Sequence, residues 1–162
     1  MKKIEIKTTI TEYSSPEELS HEYQNLILEA KNATHFAYAP YSEFHVGAAV
    51  LLEKGEIITG SNQENSAYPS GLCAERVALF YANSKYPDQK VMAIAIAASQ
   101  NDQYSKNPIT PCGSCRQVLL ETETRFDKAI KVFLIGECRI VEIDNVHDLL
   151  PISFDGEFLR NK

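Results

Sequence analysis

Three cysteines in this sequence stand where they could hold a metal ion. Cys112 and Cys115 form a Cys-x-x-Cys pair in Pro111-Cys112-Gly113-Ser114-Cys115, and Cys73 comes well before it in Cys73-Ala74-Glu75-Arg76. At a helix start, a Cys-x-x-Cys projects both sulfurs from the first turn, where backbone N–H groups and the helix dipole favour thiolate. Zinc takes such soft, deprotonated ligands. Two plus one gives three protein ligands and leaves a fourth tetrahedral position open, whereas a closed structural site takes a fourth Cys or His. Glu75 can then stand beside the metal without ligating it, taking a proton from a bound water and passing it on. Three thiolates on a divalent ion leave a formal charge of about −1, which weakens water activation. A guanidinium from Arg76 donating to the sulfurs offsets that charge.

Two other readings of these residues stay open on spacing alone. Cys112 and Cys115 could be a thioredoxin-like redox pair, which leaves Cys73 and Glu75 unexplained. They could belong to a structural zinc knot, for which no fourth ligand is evident. Cys138 reads as a spare thiol, and His21, His35, His45 and His147 lack ligand spacing.

Chemistry of this kind needs elements that bring distant cysteines together. The sequence predicts helices from Cys73 to about Ser84 and from Cys112 to about Thr124. The nearly all-apolar stretch Phe44 to Leu52 predicts a strand, returned by Glu56 to Gly60 around the turn residues Lys54-Gly55. Val91 to Ala98 is a continuous apolar run, the pattern of a strand buried on both faces. Ile130–Ile135 and Arg139–Ile143 predict late strands joined at Gly136. The cap signal Ser14-Ser15-Pro16-Glu17-Glu18 predicts a first helix running to about Ala33. A short helix is expected around His147–Leu150, and polar loops over 61–71 and 99–110. Residues 1–17 read as a loosely held arm. The order implies a single α/β domain over residues 1–162, a mixed sheet with helices on both faces.

Composition narrows the partners. Lys plus Arg number 16 against 22 Asp plus Glu, a net charge of −6. Such a chain lacks the basic footprint that a nucleic-acid backbone or an anionic membrane surface requires. The longest apolar run, Val91 to Ala98, is far too short to span a bilayer. The N-terminal MKKIEIKTTI has no continuous apolar stretch of the signal-peptide kind. A cytoplasmic location is expected, where thiols stay reduced and serve as ligands or catalytic groups.

Cys-Ala-Glu-Arg over residues 73–76 and Pro-Cys-Gly-x-Cys-Arg-Gln over 111–117 together resemble the zinc-dependent cytidine deaminases, specifically the small homotetrameric three-cysteine type. Residues 37–49, AYAPYSEFHVGAA, are similar to that family's loop and first strand. Residues 60–65, GSNQEN, are similar to its nucleoside-binding segment. Leu149-Leu150-Pro151 followed by Phe154 resembles its C-terminal motif. The likeness covers about residues 18–155 and leaves the arm outside.

The resemblance implies a three-layer α/β/α sandwich around a mixed five-stranded sheet. It implies Zn²⁺ on Cys73, Cys112 and Cys115, with Glu75 as the catalytic proton carrier. The implied reaction is hydrolytic deamination of cytidine, and of 2′-deoxycytidine, to the uridine analogue plus ammonia, as in pyrimidine salvage. Asn62 and Glu64 would receive the ribose hydroxyls, Phe44 would pack on the pyrimidine, and the Ala74 backbone N–H would meet its carbonyl. Phe154 would be lent by a neighbouring subunit of a homotetramer whose sites are shared. Without the resemblance, Asn62 and Glu64 read as ordinary polar loop residues, and Phe44 and Phe154 as packing. A carboxylate at Glu64 also disfavours a 5′-phosphate close by, which favours nucleosides. Gln63 stands where the family commonly has an aliphatic residue, Ser66-Ala67 reverses the usual order, and Pro69-Ser70-Gly71-Leu72 lies in a variable stretch. These bear on substrate preference. Three alternatives remain: a deaminase of another cytosine nucleoside such as blasticidin S, a polynucleotide-editing deaminase disfavoured by the net charge, and a zinc-containing interaction module without catalysis.

Overall fold

Alternation along the central strand sorts small and large side chains to opposite faces. In the computed structural model, which describes residues 1–156 and Leu159, that strand is β4, Val91–Gln100. Ala93, Ala95 and Ala97 point to one face and pack with Leu26, Ile27 and Ala30 of α1, His21–Ala33. Ile94 and Ile96 point to the other, against α2, Ala74–Lys85, and α3, Gly113–Phe126. All five β4 residues are fully buried, so the continuous apolar run is a strand covered on both sides. The result is the expected three-layer α/β/α arrangement.

The sheet has seven strands where five were expected. The five expected strands are present as β2 (His45–Leu52), β3 (Ile57–Ser61), β4, β6 (Lys131–Ile135) and β7 (Ile140–Ile143). The two additions are β1, Thr11–Tyr13, and β5, Gln103–Tyr104. The order is β1-β7-β6-β4-β2-β3, with β5 beside β4. Pairing is antiparallel except between β4 and β6, whose parallel register requires a crossover, supplied by α3.

Each departure from expectation has a local cause. The arm places Thr11–Tyr13 on the open edge of β7, where the Tyr13 hydroxyl donates to Glu142 Oε2 at 2.9 Å and Glu12 pairs with Arg139 at 3.0 Å. Lys131 also bonds Glu142, so one buried carboxylate gathers two strands and the arm. β5 folds back because Asn101 and Asp102 both take positive φ, 52° and 60°, the requirement of a tight hairpin turn. The cap signal at Ser14–Glu18 starts a separate 3₁₀ turn, Pro16–Glu18, rather than α1. Glu18 Oε1 accepts the N–H groups of Ser14 and Ser15 at 2.7 and 3.1 Å, closing that turn on itself. Leu19 is extended, and α1 begins anew after Ser20.

Two glycines set how closely the helices approach the sheet. A Cβ on Gly60 of β3 would lie 2.5 Å from the Ala78 nitrogen and 2.8 Å from the Ala74 oxygen. A Cβ on Gly47 of β2 would lie 2.2 Å from the Ala30 oxygen on the other side. Gly60 therefore seats the first turns of α2 directly on the sheet. Among the described residues, no helix is long and apolar enough to cross a membrane.

Candidate active site

Two helices begin at the same place. Cys73 caps α2, Cys112 caps α3, and Cys115 lies in the first turn of α3. The Cys73 and Cys112 sulfurs are 3.8 Å apart, those of Cys112 and Cys115 are 3.5 Å apart, and all three lie within 4.8 Å of one another. A tetrahedral zinc with bonds of about 2.3 Å separates its sulfurs by about 3.8 Å. The donor set, its softness and its spacing fit one zinc ion with a position to spare. Cys138 is exposed and takes no part in this cluster.

The surroundings lower the proton affinity of one sulfur and raise that of the carboxyl. The Cys73 thiol is held down to about 5, first by its hydrogen bond with Cys115, then by Arg76 and Cys112. Cys115 is pushed up by Cys73, by burial and by Glu75. Arg76 Nη2 reaches Cys73 Sγ at 3.6 Å, and its buried Nε has no partner among the described residues. Glu75, in the first turn of α2, is 5% exposed. Burial raises its carboxyl above the ordinary value, and the nearby Cys73 charge adds to the rise. A buried carboxyl beside the sulfurs is placed to exchange a proton with a group bound there.

The cluster opens into a cleft of about 740 Å³ whose lining includes Phe44, Asn62, Glu64, Cys73, Glu75 and Cys112. Five expected site residues outside the metal trio therefore have a defined place: Phe44, Asn62, Glu64, Glu75 and Arg76 all line it. Ala74 is fully buried as the first residue of α2, where backbone N–H groups have no partner within the helix. Phe154 is not brought to the cleft of its own chain. It is 61% exposed, and its carbonyl accepts from Gln117 Nε2 at 2.9 Å.

The wall opposite the sulfurs is made of loops cross-linked by side chains. Asn62 Oδ1 accepts the Val46 N–H at 2.7 Å, and its Nδ2 donates to the Phe44 carbonyl at 2.9 Å. Asn62 thus holds the start of β2 and with it Phe44. Gln63 and Leu72 exchange both backbone hydrogen bonds at 2.9 Å, which ties the Asn62–Glu64 segment to the residue before Cys73. Gln63 Nε2 donates to Ser61 Oγ at 3.1 Å. Glu64 Oε2 accepts the N–H of Tyr41 at 2.9 Å, and Oε1 accepts the Ser42 hydroxyl at 2.5 Å. These bonds, the Ser42 one foremost, hold its carboxyl below the ordinary range. Tyr41 and Tyr68 meet edge to face at the cleft, with centroids 6.3 Å apart. Sequence reasoning missed Tyr41, Ser42 and Tyr68 as site residues. The signal available was that Tyr41 and Ser42 lie in the same AYAPYSEF stretch as Phe44.

Residues 20–130 match the family described as the cytidine and deoxycytidylate deaminase zinc-binding region. A cytidine deaminase of Halalkalibacterium halodurans is 45% identical over 138 residues, covering 85% of this chain and 98% of that one. A cytidine deaminase of Sporosarcina psychrophila is 41% identical over 136 residues, covering 84% and 93%. Among solved structures, the cytidine deaminase from Burkholderia pseudomallei matches with a TM-score of 0.70 and 38% identity, over 84% of this chain and 100% of that one. The matched stretch contains Cys73, Glu75, Cys112 and Cys115, the residues that the fold gathers at two helix starts. The chain belongs to the zinc-binding cytidine and deoxycytidylate deaminase family.

Proposed function

We propose that the protein hydrolyses cytidine, and 2′-deoxycytidine, to the uridine analogue and ammonia. One observation carries the reading: three sulfurs spaced for a single zinc ion share a cleft with a buried carboxyl whose affinity for protons is raised. Zinc bound by Cys73, Cys112 and Cys115 would supply a water acidic enough to lose its proton near neutral pH. Glu75 would take that proton and pass it to N3 of the ring as the hydroxide oxygen bonds to C4. It would then carry the proton of the new C4 hydroxyl to the amine, whose C4–N bond breaks to leave the ring carbonyl and ammonia. Arg76 offsets the negative charge of the thiolates. The Ala74 N–H donates to the ring carbonyl, Phe44 covers the ring, and Asn62 and Glu64 accept the ribose hydroxyls.

The charge of −6 and the Glu64 carboxylate favour a small nucleoside over a nucleotide or a polynucleotide. We take the protein to be cytoplasmic and to assemble as a homotetramer in which Phe154 completes a neighbour's site. Its exposure on a single chain supports that reading. Ultraviolet absorbance tests the activity: cytidine mixed with the zinc-loaded protein should convert steadily to uridine, and Glu75→Ala should stop it. A folded, zinc-loaded sample that leaves cytidine untouched would overturn the reading. Turnover of blasticidin S by that same sample would identify the alternative substrate.

A further inference from the structure

We infer that Ser42 is a positioning residue for substrate recognition, setting the Glu64 carboxylate and the Phe44 backbone from a single hydroxyl. The inference rests on Glu64 and Phe44 contacting the nucleoside as proposed above. Ser42 is exposed, yet every polar group it owns is engaged. Its hydroxyl donates to Glu64 Oε1 at 2.5 Å and accepts the Phe44 N–H at 3.1 Å. Its N–H reaches Glu64 Oε2 at 3.3 Å, and its carbonyl accepts from Gln100 Nε2 at 3.4 Å. Exposed serines ordinarily satisfy themselves with water, and this one ties Glu64 to the Phe44 backbone within one wall of the cleft.

The backbone next to it needs that hold. Glu43 has φ of 53°, the left-handed region, which is disfavoured for a residue with a Cβ and persists where neighbours enforce it. The bonds from Ser42 and the Glu43 N–H to the Ala39 carbonyl at 3.0 Å bracket that residue. A carboxylate offers about four acceptor positions. The loop occupies three of them, through Tyr41 N–H, Ser42 N–H and Ser42 O–H. About one acceptor position is left on a carboxylate that lines the cleft. Ser42 touches neither the metal trio nor Glu75, so its influence falls on binding rather than on proton transfer.

The experiment compares Ser42→Ala, Ser42→Thr, Glu64→Gln and the double variant Ser42→Ala/Glu64→Gln with the zinc-loaded wild type. It reads KM, kcat, zinc content and Tm. Ser42→Ala should raise KM for cytidine about tenfold, the scale of one hydrogen bond to a charged group, and keep kcat within about twofold. Ser42→Thr retains the hydroxyl and should restore most of the loss. Because the Ser42 hydroxyl acts on the sugar through Glu64 and on the ring through Phe44, the double variant should be worse than Glu64→Gln by clearly less than the full Ser42→Ala penalty. A Ser42→Ala KM within about twofold of wild type overturns the inference. So does a full additive penalty in the Glu64→Gln background, or a lowered kcat and Tm with unchanged KM. A wild type that does not turn over cytidine overturns the deaminase reading itself, an outcome distinct from a working enzyme indifferent to Ser42.

Discussion

The two walls of the cleft are built by different means. The metal wall stands on the first turns of α2 and α3, two helices packed on the sheet's large-residue face. Cys115 and Glu75 are buried there, and their positions follow from core packing. The sugar wall stands on loops, held by side-chain hydrogen bonds from Asn62, Ser42 and Glu64. Packing fixes a group by excluding every alternative nearby, so it suits atoms that must meet a reacting centre with little tolerance. Hydrogen-bonded loops are set by a few directional contacts, each removable by itself. The metal wall should therefore govern kcat and folding, and the sugar wall KM.

Four substitutions test that division. Glu75→Gln should lower kcat by about 10³-fold or more with zinc content intact, since it removes the proton carrier and leaves the sulfurs in place. Residual activity within tenfold of wild type would contradict its role. Gly60→Ala forces a Cβ against the backbone of α2 and should cost about 1–3 kcal/mol, read as a Tm lower by several degrees together with weaker zinc retention. An unchanged Tm would show that α2 can move off β3, and the account of its seat would fail. Asn62→Ala leaves the Val46 N–H and the Phe44 carbonyl without their partner and should raise KM several-fold more than it lowers kcat. A pure kcat defect there would erase the distinction between the walls. Arg76→Gln should lower kcat by about tenfold through the charge on the sulfurs while thermal unfolding stays close to wild type. Unchanged steady-state kinetics would remove Arg76 from the account.

The same division explains what could be read from the sequence. The metal wall was legible because its residues are rare types at diagnostic spacing, Cys73, Glu75, Cys112 and Cys115, and each sits at a helix start that the local pattern also marks. The five main strands were legible because they are apolar runs bounded by turns. β1 was not, because Thr11–Tyr13 is polar and pairs through its backbone and one tyrosine hydroxyl with a strand far along the chain. β5 was hidden in a polar stretch, although Asn101-Asp102 is a pair that tolerates positive φ. The cap signal at Ser15 was sound chemistry attached to the wrong element, since a capping carboxylate can close a single 3₁₀ turn as well as start a long helix. Asn62 and Glu64 became visible only through resemblance. Their positioning of the Phe44 and Ser42 loop could not be read at all, because it depends on which carbonyls and N–H groups lie across the cleft.

One feature of the metal wall bears on how the chain stays folded. Cys73 and Cys112 lie 39 residues apart, and the segment between them contains α2 and the central strand β4. An ion joining the two sulfurs closes that segment into a loop, much as a covalent bridge would. In the chain-entropy description, a cross-link of this span restrains the unfolded ensemble by about 4 kcal/mol. The ion that opens the way to chemistry would thus also be a clasp on the middle of the sheet. Stripping it with a chelator should therefore lower the Tm of the domain as a whole, and an unchanged Tm would show that the ion is no clasp.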